Sequence, residues 1–418
     1  MLASVGFYAR FYRALYRNLS RDAKRLVLAG GLNSLPFGVN SVALPIYLTR
    51  LGYDGIVVGS VFSIQGAVAV LLTIPLGIAA DRFGRKRMVI LGGVLSALSF
   101  FLYPFMTSLA VAYVAAVLAG LAGAFAFAPL QALLTDATKE EVRTVVFGMS
   151  FFVQSATTSI GSLASAVPDL LLGWGIVPAY TPLFVGAGLA MLAAPVLLAR
   201  TAIPEIRRAA RRGILPVRSA RMISKYFTSN IIIGLGAGLI IPIFSLWFLL
   251  KYGVAESFTG PLFALSNVVN AVAFLVAPIL AHSRGLVRTV VTLQGLSTLF
   301  LLGLAVIPAT GAFLWVASVL FLARNASMNM SSPVSSSFLM GAVEPDERSS
   351  ASAVVGVSFR LPFAVSTTFG AAMMQANTDA PLFVTSGLYA IGVSAFYVFF
   401  RNVPEKRAGP VPPKAQVE

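Results

Sequence analysis

The stretch GIAADRFGRKR, residues 77–87, places one aspartate and four basic residues between two long apolar runs. The run before it covers residues 55–80 and the run after it residues 87–107. Each run is long enough to cross a bilayer as a helix. The charged stretch is therefore expected to form a short loop at a membrane surface.

The composition extends this interpretation to the whole chain. Hydrophobic residues make up 57% of the 418 residues and charged residues 11%, whereas a soluble domain carries about a quarter charged residues. Lipid must therefore cover most of the surface, which excludes soluble enzymes, DNA-binding proteins and disordered scaffolds. The runs lack the short alternating pattern of barrel strands, so we expect an all-α polytopic membrane protein with twelve transmembrane helices in two pseudo-symmetric six-helix bundles. The expected spans are 26–50, 55–80, 87–107, 109–135, 144–167, 180–199, 223–250, 257–281, 288–308, 311–338, 350–376 and 380–400.

The basic residues set the orientation. With both termini in the cytoplasm, 27 of the 31 lysines and arginines lie in cytoplasmic segments. Two, Arg50 and Lys251, lie outside, and two, Arg324 and Arg360, lie within spans. This is the bias of the positive-inside rule, so we expect a multi-pass protein of the cell membrane with cytoplasmic termini. The net charge of +16 is thus a topology signal and does not predict nucleic-acid binding.

Five segments follow from this order: a basic amphipathic surface segment at 1–25, a six-helix bundle at 26–200, a basic cytoplasmic linker at 201–222, a second bundle at 223–400, and a cytoplasmic tail at 401–418. The bundles repeat each other at an offset of 201 residues, which pairs Gly52 with Gly253 and Gly84 with Gly285. Parallel repeats of this kind are typical of secondary transporters.

Several chemistries are excluded by residue content. The chain has no cysteine and one histidine, His282, so a metal site of either type is not expected. No phosphate-binding loop of the GxxxxGK[ST] type occurs, so this chain alone does not use ATP. We predict no cofactor, no metal and no enzymatic activity.

The loop at 77–87 resembles the loop between spans two and three of the major facilitator superfamily, whose pattern is G-x-L-a-D-r-x-G-r-k. Ala79 replaces the usual leucine. The resemblance implies a conformational lock in which Asp81 faces the amino end of span eleven, where the helix dipole favours a carboxylate, and in which Gly77 allows spans two and eleven to approach closely. Topology alone is the alternative explanation of the loop. The candidate gating residues are Gly77, Asp81, Arg82, Gly84, Arg85, Lys86 and, at the end of span four, Asp136.

The sequence also departs from the drug-exporting members that it resembles. Their fifth span carries Gly-Pro followed by Gly-Gly, whereas residues 159–167 read SIGSLASAV and keep only Gly161 with small neighbours. Their fourth span often carries an arginine, and residues 114–129 have none. Both departures weaken the interpretation as a proton-coupled drug antiporter.

Arg324 and Arg360 are the strongest candidates for contact with a substrate. Both lie about ten or more residues inside a span, where an arginine costs about 2.5–3.5 kcal/mol unless it faces a cavity or a partner. No carboxylate lies mid-span, so a substrate anion is one possible counterion. The alternative is a structural role, with bonds to carbonyls near Pro333 and Pro362, to Asn and Ser side chains, or to water.

Weaker candidates are amides and an aromatic residue that recur on helix faces. Interhelical hydrogen bonding explains each of them equally well. They are Asn33, Phe37, Asn40, Gln154, Asn267 and Asn270.

These observations predict a secondary active transporter that moves a small organic solute by alternating access, with export expected from similarity to efflux branches. The alternatives are an organic-anion uptake carrier or exchanger that uses Arg324 and Arg360, and a transport-inactive membrane sensor. We expect a monomer whose partners are a small-molecule substrate, with an anionic solute as one alternative, and the lipid bilayer. A proton gradient is expected to act only weakly, through span-end groups such as Asp81, Asp136 or His282.

Overall fold

The computed structural model describes residues 21–136, 140–201, 219–344 and 348–403. Within these ranges the chain is helical and contains no strand. Most of the predicted surface segment, linker and tail lies outside the described residues. The spans, in order, are Arg21–Leu32 with Leu35–Arg50, Gly55–Phe83, Arg85–Leu102, Leu109–Asp136, Glu140–Ala164, Ile176–Ala199, Ala220–Ile240 with Phe244–Tyr252, Glu256–Arg284, Leu286–Val306, Leu314–Ala342, Arg348–Ala376 and Ala380–Phe400.

Eleven of these spans are long and apolar enough to cross a membrane, counted over the described residues. The fifth, Glu140–Ala164, has 25 residues and is long enough, but Ser, Thr and Gln side chains lower its hydropathy. Helices suit this setting because every backbone N–H and C=O is paired within the segment. The predicted fold class is confirmed: an all-α membrane protein of twelve helices in two pseudo-symmetric bundles.

Two spans are broken where the sequence predicted continuous helices. The first breaks at Asn33–Ser34, directly before a helix that has proline in its first turn. The seventh passes through a 3-10 turn at Ile241–Ile243, which contains Pro242. Proline removes a backbone donor and disfavours helical geometry at the residue before it, which explains both breaks.

The chain forms two compact units, which combine the segments differently from the sequence repeat. Unit one contains residues 1–211 and 242–268, and unit two contains residues 212–241 and 269–418. The segment 242–268 belongs to the second half of the repeat but packs within unit one. The division into bundles at 26–200 and 223–400 stays a prediction about the repeat.

The repeat is visible in how the helices pair inside each unit. In unit one the first span packs on the fifth and sixth, and the third packs on the fourth and sixth. In unit two the seventh packs on the eleventh and twelfth, and the ninth packs on the tenth and twelfth. Each of these four pairings in the first half therefore has its counterpart six spans later.

The turn glycines repeat as well. Gly84 has a φ of 104° and Gly285, its partner in the repeat, a φ of 86°, while Gly52 and Gly253 have φ values of 89° and 68°. A side chain at such positive φ is strained, so glycine is needed at all four turns. The offset of 201 residues found in the sequence thus corresponds to equal backbone geometry.

Candidate functional site

The candidates on the first span have different surroundings. Asn40 is buried, and its Oδ1 accepts a 3.3 Å hydrogen bond from the Tyr103 hydroxyl. Asn33 is half-buried at the helix break, and its Nδ2 has no partner among the described residues. Phe37 is 68% exposed. Asn40 therefore links helices, as the alternative interpretation proposed. Asn33, in contrast, has a buried amide nitrogen without a partner among the described residues, and Phe37 has an exposed ring.

Gln154 belongs to a chain of polar groups between the first and fifth spans. Its Nε2 donates a 2.9 Å hydrogen bond to Ser150 Oγ, and its Oε1 lies 3.5 Å from Ser34 Oγ. Thr158, one turn further, donates to the Ser34 carbonyl at 3.1 Å. Next to this chain Gly161 packs so closely that an added Cβ would lie 2.5 Å from the Leu35 carbonyl oxygen. The small residues of SIGSLASAV thus serve close helix packing.

On the eighth span, Asn267 and Asn270 are both half-buried. The Asn267 carbonyl accepts a 3.0 Å hydrogen bond from Ser155. The Oδ1 of Asn270 is buried and has no partner among the described residues. Asn270 therefore carries a buried acceptor without a hydrogen-bond partner among the described residues.

Arg324 is 3% exposed and is held by side chains of unit two. Its Nη1 donates to Asn325 Oδ1 and its Nη2 to the Tyr389 hydroxyl, each at 2.8 Å. The guanidinium carbon also lies 5.7 Å from the centre of the Tyr389 ring, a distance typical of a cation–π contact. These contacts satisfy part of the guanidinium without a carboxylate, which is the structural role that the sequence left open.

Arg360 differs from Arg324 because its side chain is exposed. On the same helix, Val365 and Phe369 are 47% and 63% exposed. At 100° per residue, Arg360 lies about 140–180° away from these two apolar side chains. Arg360 thus points away from the apolar face of its helix.

The charged loop at 77–87 has a structural role within unit one. Lys86 Nζ donates to the carbonyl oxygens of Ala199 and Thr201, at 3.2 and 2.7 Å. These carbonyls end the sixth span, where a helix leaves acceptors unpaired and carries partial negative charge. Lys86 therefore caps the sixth span.

The other candidates of the loop give less evidence on gating. Arg82 is exposed, and Arg85 is half-buried. Within the described residues, a Cβ on Gly77 would meet no atom within 4 Å. The side chains of Asp81 and Asp136 lie outside the described residues. The conformational lock stays a prediction.

A cluster of charged residues at the predicted outer ends of the spans was missed by the sequence analysis. Arg50 Nη2 lies 2.9 Å from Glu256 Oε2 and 3.3 Å from Asp169 Oδ1. The Tyr180 hydroxyl donates a hydrogen bond to Glu256 Oε1. The Glu256 side chain has no exposed surface, whereas those of Arg50 and Asp169 are 17% and 20% exposed. We call Arg50, Asp169, Tyr180 and Glu256 the outer cluster.

Only one residue of the outer cluster stands out in the sequence. Arg50 is one of the two basic residues that are expected on the outer side of the membrane. Its partners are 119 and 206 positions away in the sequence, and no local pattern connects them. Only packing of the first and eighth spans with the short helix Val167–Leu170 brings them together.

Serines of the fifth span continue the contact below the outer cluster. Ser155 and Ser159 donate to the carbonyls of Asn267 and Ala264, at 3.0 and 3.2 Å. One turn nearer the outer end, a Cβ on Gly260 would lie 2.7 Å from the Ser162 carbonyl oxygen. The first half of the eighth span is thus attached along the fifth span by hydroxyl donors and a close glycine contact.

Two further features bear on what the site can bind. An apolar cleft of about 310 Å³ in unit one is lined by aliphatic and small residues such as Leu35, Val39 and Leu183, and none of its lining residues has a polar side chain. Among the residues that the structure describes, no cluster of three His, Asp or Glu side chains is arranged to hold a metal ion. The candidate residues described above can therefore interact with a solute through hydrogen bonds and through their charges.

Comparison with known proteins gives partial relatives. The chain is 35% identical over 96 residues to a "Na(+), Li(+), K(+)/H(+) antiporter" of Planococcus maritimus, which covers 22% of this chain and 23% of that protein. It is 30% identical over 179 residues to "Multidrug resistance protein MdtH" of Proteus mirabilis, covering 41% and 43%. These matches span less than half the length of either relative.

A solved structure and a family profile cover far more of the chain. The nucleoside transporter NupG aligns over 91% of this chain and 100% of its own, with a TM-score of 0.71 at 13% identity, which shows a common fold. The sequence profile of the Major Facilitator Superfamily matches residues 26–367. Because this match covers most of the chain, and the helix pairing and the charged loop at 77–87 agree with it, the protein belongs to the Major Facilitator Superfamily of membrane transporters.

Proposed function

We propose that this protein exports a small organic solute across the cell membrane by secondary active, alternating-access transport. The observation that carries the proposal is the repetition of helix pairings and turn glycines between the two halves. In transporters with parallel repeats, access alternates as one repeat moves against the other. A transport-inactive sensor would not need both copies of this geometry.

Export is the direction that the relatives favour, because partial relatives are named multidrug resistance proteins. The proposal includes cytoplasmic termini, a cytoplasmic linker between spans six and seven, and a monomer as the working unit. It includes no chemical change of the solute. Because the chain has no cysteine, labelling of single cysteines introduced into the linker from either side of the membrane tests this orientation.

Uptake or exchange of an organic anion is a second candidate, favoured by one observation. Arg360 is exposed and lies opposite the apolar face of its helix, so a charge deep in a span faces away from the side suited to lipid. A solute carboxylate or phosphate would offer such a guanidinium a bidentate partner. Asn270, with its unpaired Oδ1, is a further candidate contact.

Two measurements on purified protein test these proposals. Thermal stability is first measured with ethidium as a hydrophobic cation, carboxyfluorescein as an organic anion, and uridine as a neutral solute, because a ligand that binds the folded state raises stability. The stabilising probe is then followed in proteoliposomes of known orientation. We expect net movement toward the outer side. Movement only toward the cytoplasmic side would reject export, and movement of carboxyfluorescein alone would favour the anion carrier.

A further inference from the structure

The outer cluster unites residues from both halves of the repeat within one compact unit. Arg50, Asp169 and Tyr180 come from the first half, whereas Glu256 is the first residue of the eighth span. The segment 242–268 that carries Glu256 packs with the first-half helices. If the halves move against each other during transport, the outer end of the eighth span must leave these helices, and the ion pair between Arg50 and Glu256 must break.

The charges of the cluster are not balanced when every group is ionised. One guanidinium, Arg50, lies within 3.3 Å of a carboxylate oxygen of both Asp169 and Glu256. Burying an excess charge is costly, and two carboxylates that share one cation titrate as a coupled pair. One bound proton removes the excess. If this proton is on Glu256, Arg50 and Asp169 remain as a neutral pair.

Among the described residues, Arg50 is the cation that acts on this carboxylate. Tyr180 contributes a hydroxyl donor, and its ring lies 4.6 Å from the ring of Tyr47. Lys251, at the end of the seventh span, is 8% exposed, and its amino group lies 5.1 Å from the centre of the Trp247 ring. The charged groups that act on the Glu256 carboxylate are Arg50 and Asp169.

We propose that Glu256 is a proton-binding site that controls the outer end of the transporter. Protonated Glu256 holds the eighth span against the first-half helices, because it leaves Arg50 and Asp169 as a neutral pair and stays bonded to the Tyr180 hydroxyl. When the proton leaves to the outer side, the buried cluster carries one excess negative charge, which favours the open outer end where Glu256 is solvated. This inference rests on the proposed alternating access, and it adds Glu256 to the span-end groups through which a proton gradient could act.

The test uses the absence of cysteine in the chain and needs no solute. Ser162→Cys introduces a thiol at a fully buried position where the fifth and eighth spans meet. Leu170→Cys, at a position 79% exposed in the outer loop, serves as the reference. In liposomes, both variants are labelled from outside with a membrane-impermeant maleimide at several pH values. The ratio of the two rates cancels the pH dependence of the thiol chemistry.

We expect this ratio to fall about tenfold from pH 7.5 to pH 5.5, within the hundredfold limit that one proton sets over two pH units. Glu256→Gln, which mimics the protonated carboxyl, should keep the ratio low at all pH values and remove its pH dependence. Asp54→Asn is the matched control, because it removes a carboxylate on the same side that only caps the second span. It should behave like the parent.

A second variant tests the role of the outer cluster if Glu256→Gln folds poorly. Asp169→Asn removes the excess negative charge and leaves Arg50 paired with Glu256, so its ratio should also be low and largely independent of pH. A parent protein without pH dependence, or a pH dependence that survives in either variant, would overturn the proposal. Since no solute is involved, such a result would leave the proposed export standing, and a failure of export assays would not affect this test.

Discussion

The hydroxyl of Tyr389 in the twelfth span accepts a 2.8 Å hydrogen bond from Nη2 of Arg324 in the tenth. Both side chains are at most 3% exposed. A charged donor buried beside a neutral hydroxyl and an aromatic face stabilises the contact between these spans, since hydrogen bonds to charged groups contribute about 1.5–3 kcal/mol. This pair gives Arg324 a role that needs no solute.

Arg324→Ala should therefore lower the free energy of unfolding by about 2–4 kcal/mol, because Tyr389 and Asn325 lose a charged partner. Solute affinity of the folded protein should change by less than about twofold, since packing and not the binding site is altered. Tyr389→Phe, which removes only the hydroxyl, should have a smaller effect in the same direction. Thermal unfolding and binding titration of both variants check this. A large loss of affinity at unchanged stability would assign Arg324 to the solute site.

The opposite result is predicted for Arg360. Arg360→Gln removes a charge from an exposed side chain, so stability should change by less than about 1 kcal/mol. If the solute is an anion, its affinity should fall about tenfold or more, and Arg360→Lys should restore only part of it, because an ammonium lacks the planar fork of a guanidinium. Binding of carboxyfluorescein by both variants is the measurement. Loss of folded protein with normal affinity would contradict a role in binding.

Lys86 is predicted to stabilise the protein through the end of the sixth span. Lys86→Met keeps the aliphatic stem but leaves the carbonyls of Ala199 and Thr201 without their donor, and should cost about 1–2 kcal/mol. Arg82→Met, at an exposed position of the same loop, should cost less than about 0.5 kcal/mol. Equal melting temperatures of the two variants would remove the capping role of Lys86.

Asp81 is predicted to act on the conformational equilibrium and not on folding. Asp81→Asn removes the charge that the amino end of a helix would stabilise, so cytoplasmic cysteine reporters should be labelled about threefold to tenfold faster and transport should slow. The comparison is made with Asp54→Asn, which removes a carboxylate at the opposite ends of the spans. Unchanged labelling together with unchanged transport would leave the loop at 77–87 with a role in topology alone.

The sequence predicted the architecture well because lipid imposes strong rules. Long apolar runs must be helices, and basic residues mark one side, so twelve spans followed without any knowledge of contacts. The breaks at Asn33–Ser34 and around Pro242 were not predicted, because proline is tolerated inside many membrane helices and its effect depends on neighbouring packing. Pro45 and Pro75, for example, lie within continuous helices.

The candidate site was harder to predict for a different reason. The sequence shows that Arg324 is buried but not that Tyr389, 65 positions later, supplies its partner. In the sequence Glu256 is one of several acids at the ends of spans. Its neighbours in the sequence do not show that its carboxylate is fully buried beside Arg50. Side-chain partners across helices depend on the rotation of each helix, which hydropathy does not determine. The sequence therefore identified which charges were unusual, but not their partners.

The most direct test of alternating access is a reversible cross-link at the predicted outer ends. A Cβ on Gly260 would lie 3.4 Å from the Cβ of Ala166, close to the spacing of about 3.5–4.5 Å found in disulfides. Ala166→Cys with Gly260→Cys should form a disulfide that holds the fifth and eighth spans together. The single variants control for the close contact of Gly260 with the Ser162 carbonyl. Transport of the stabilising probe in proteoliposomes should fall to the protein-free background when the pair is oxidised and return on reduction. Transport at the parental rate by fully cross-linked protein would contradict the account.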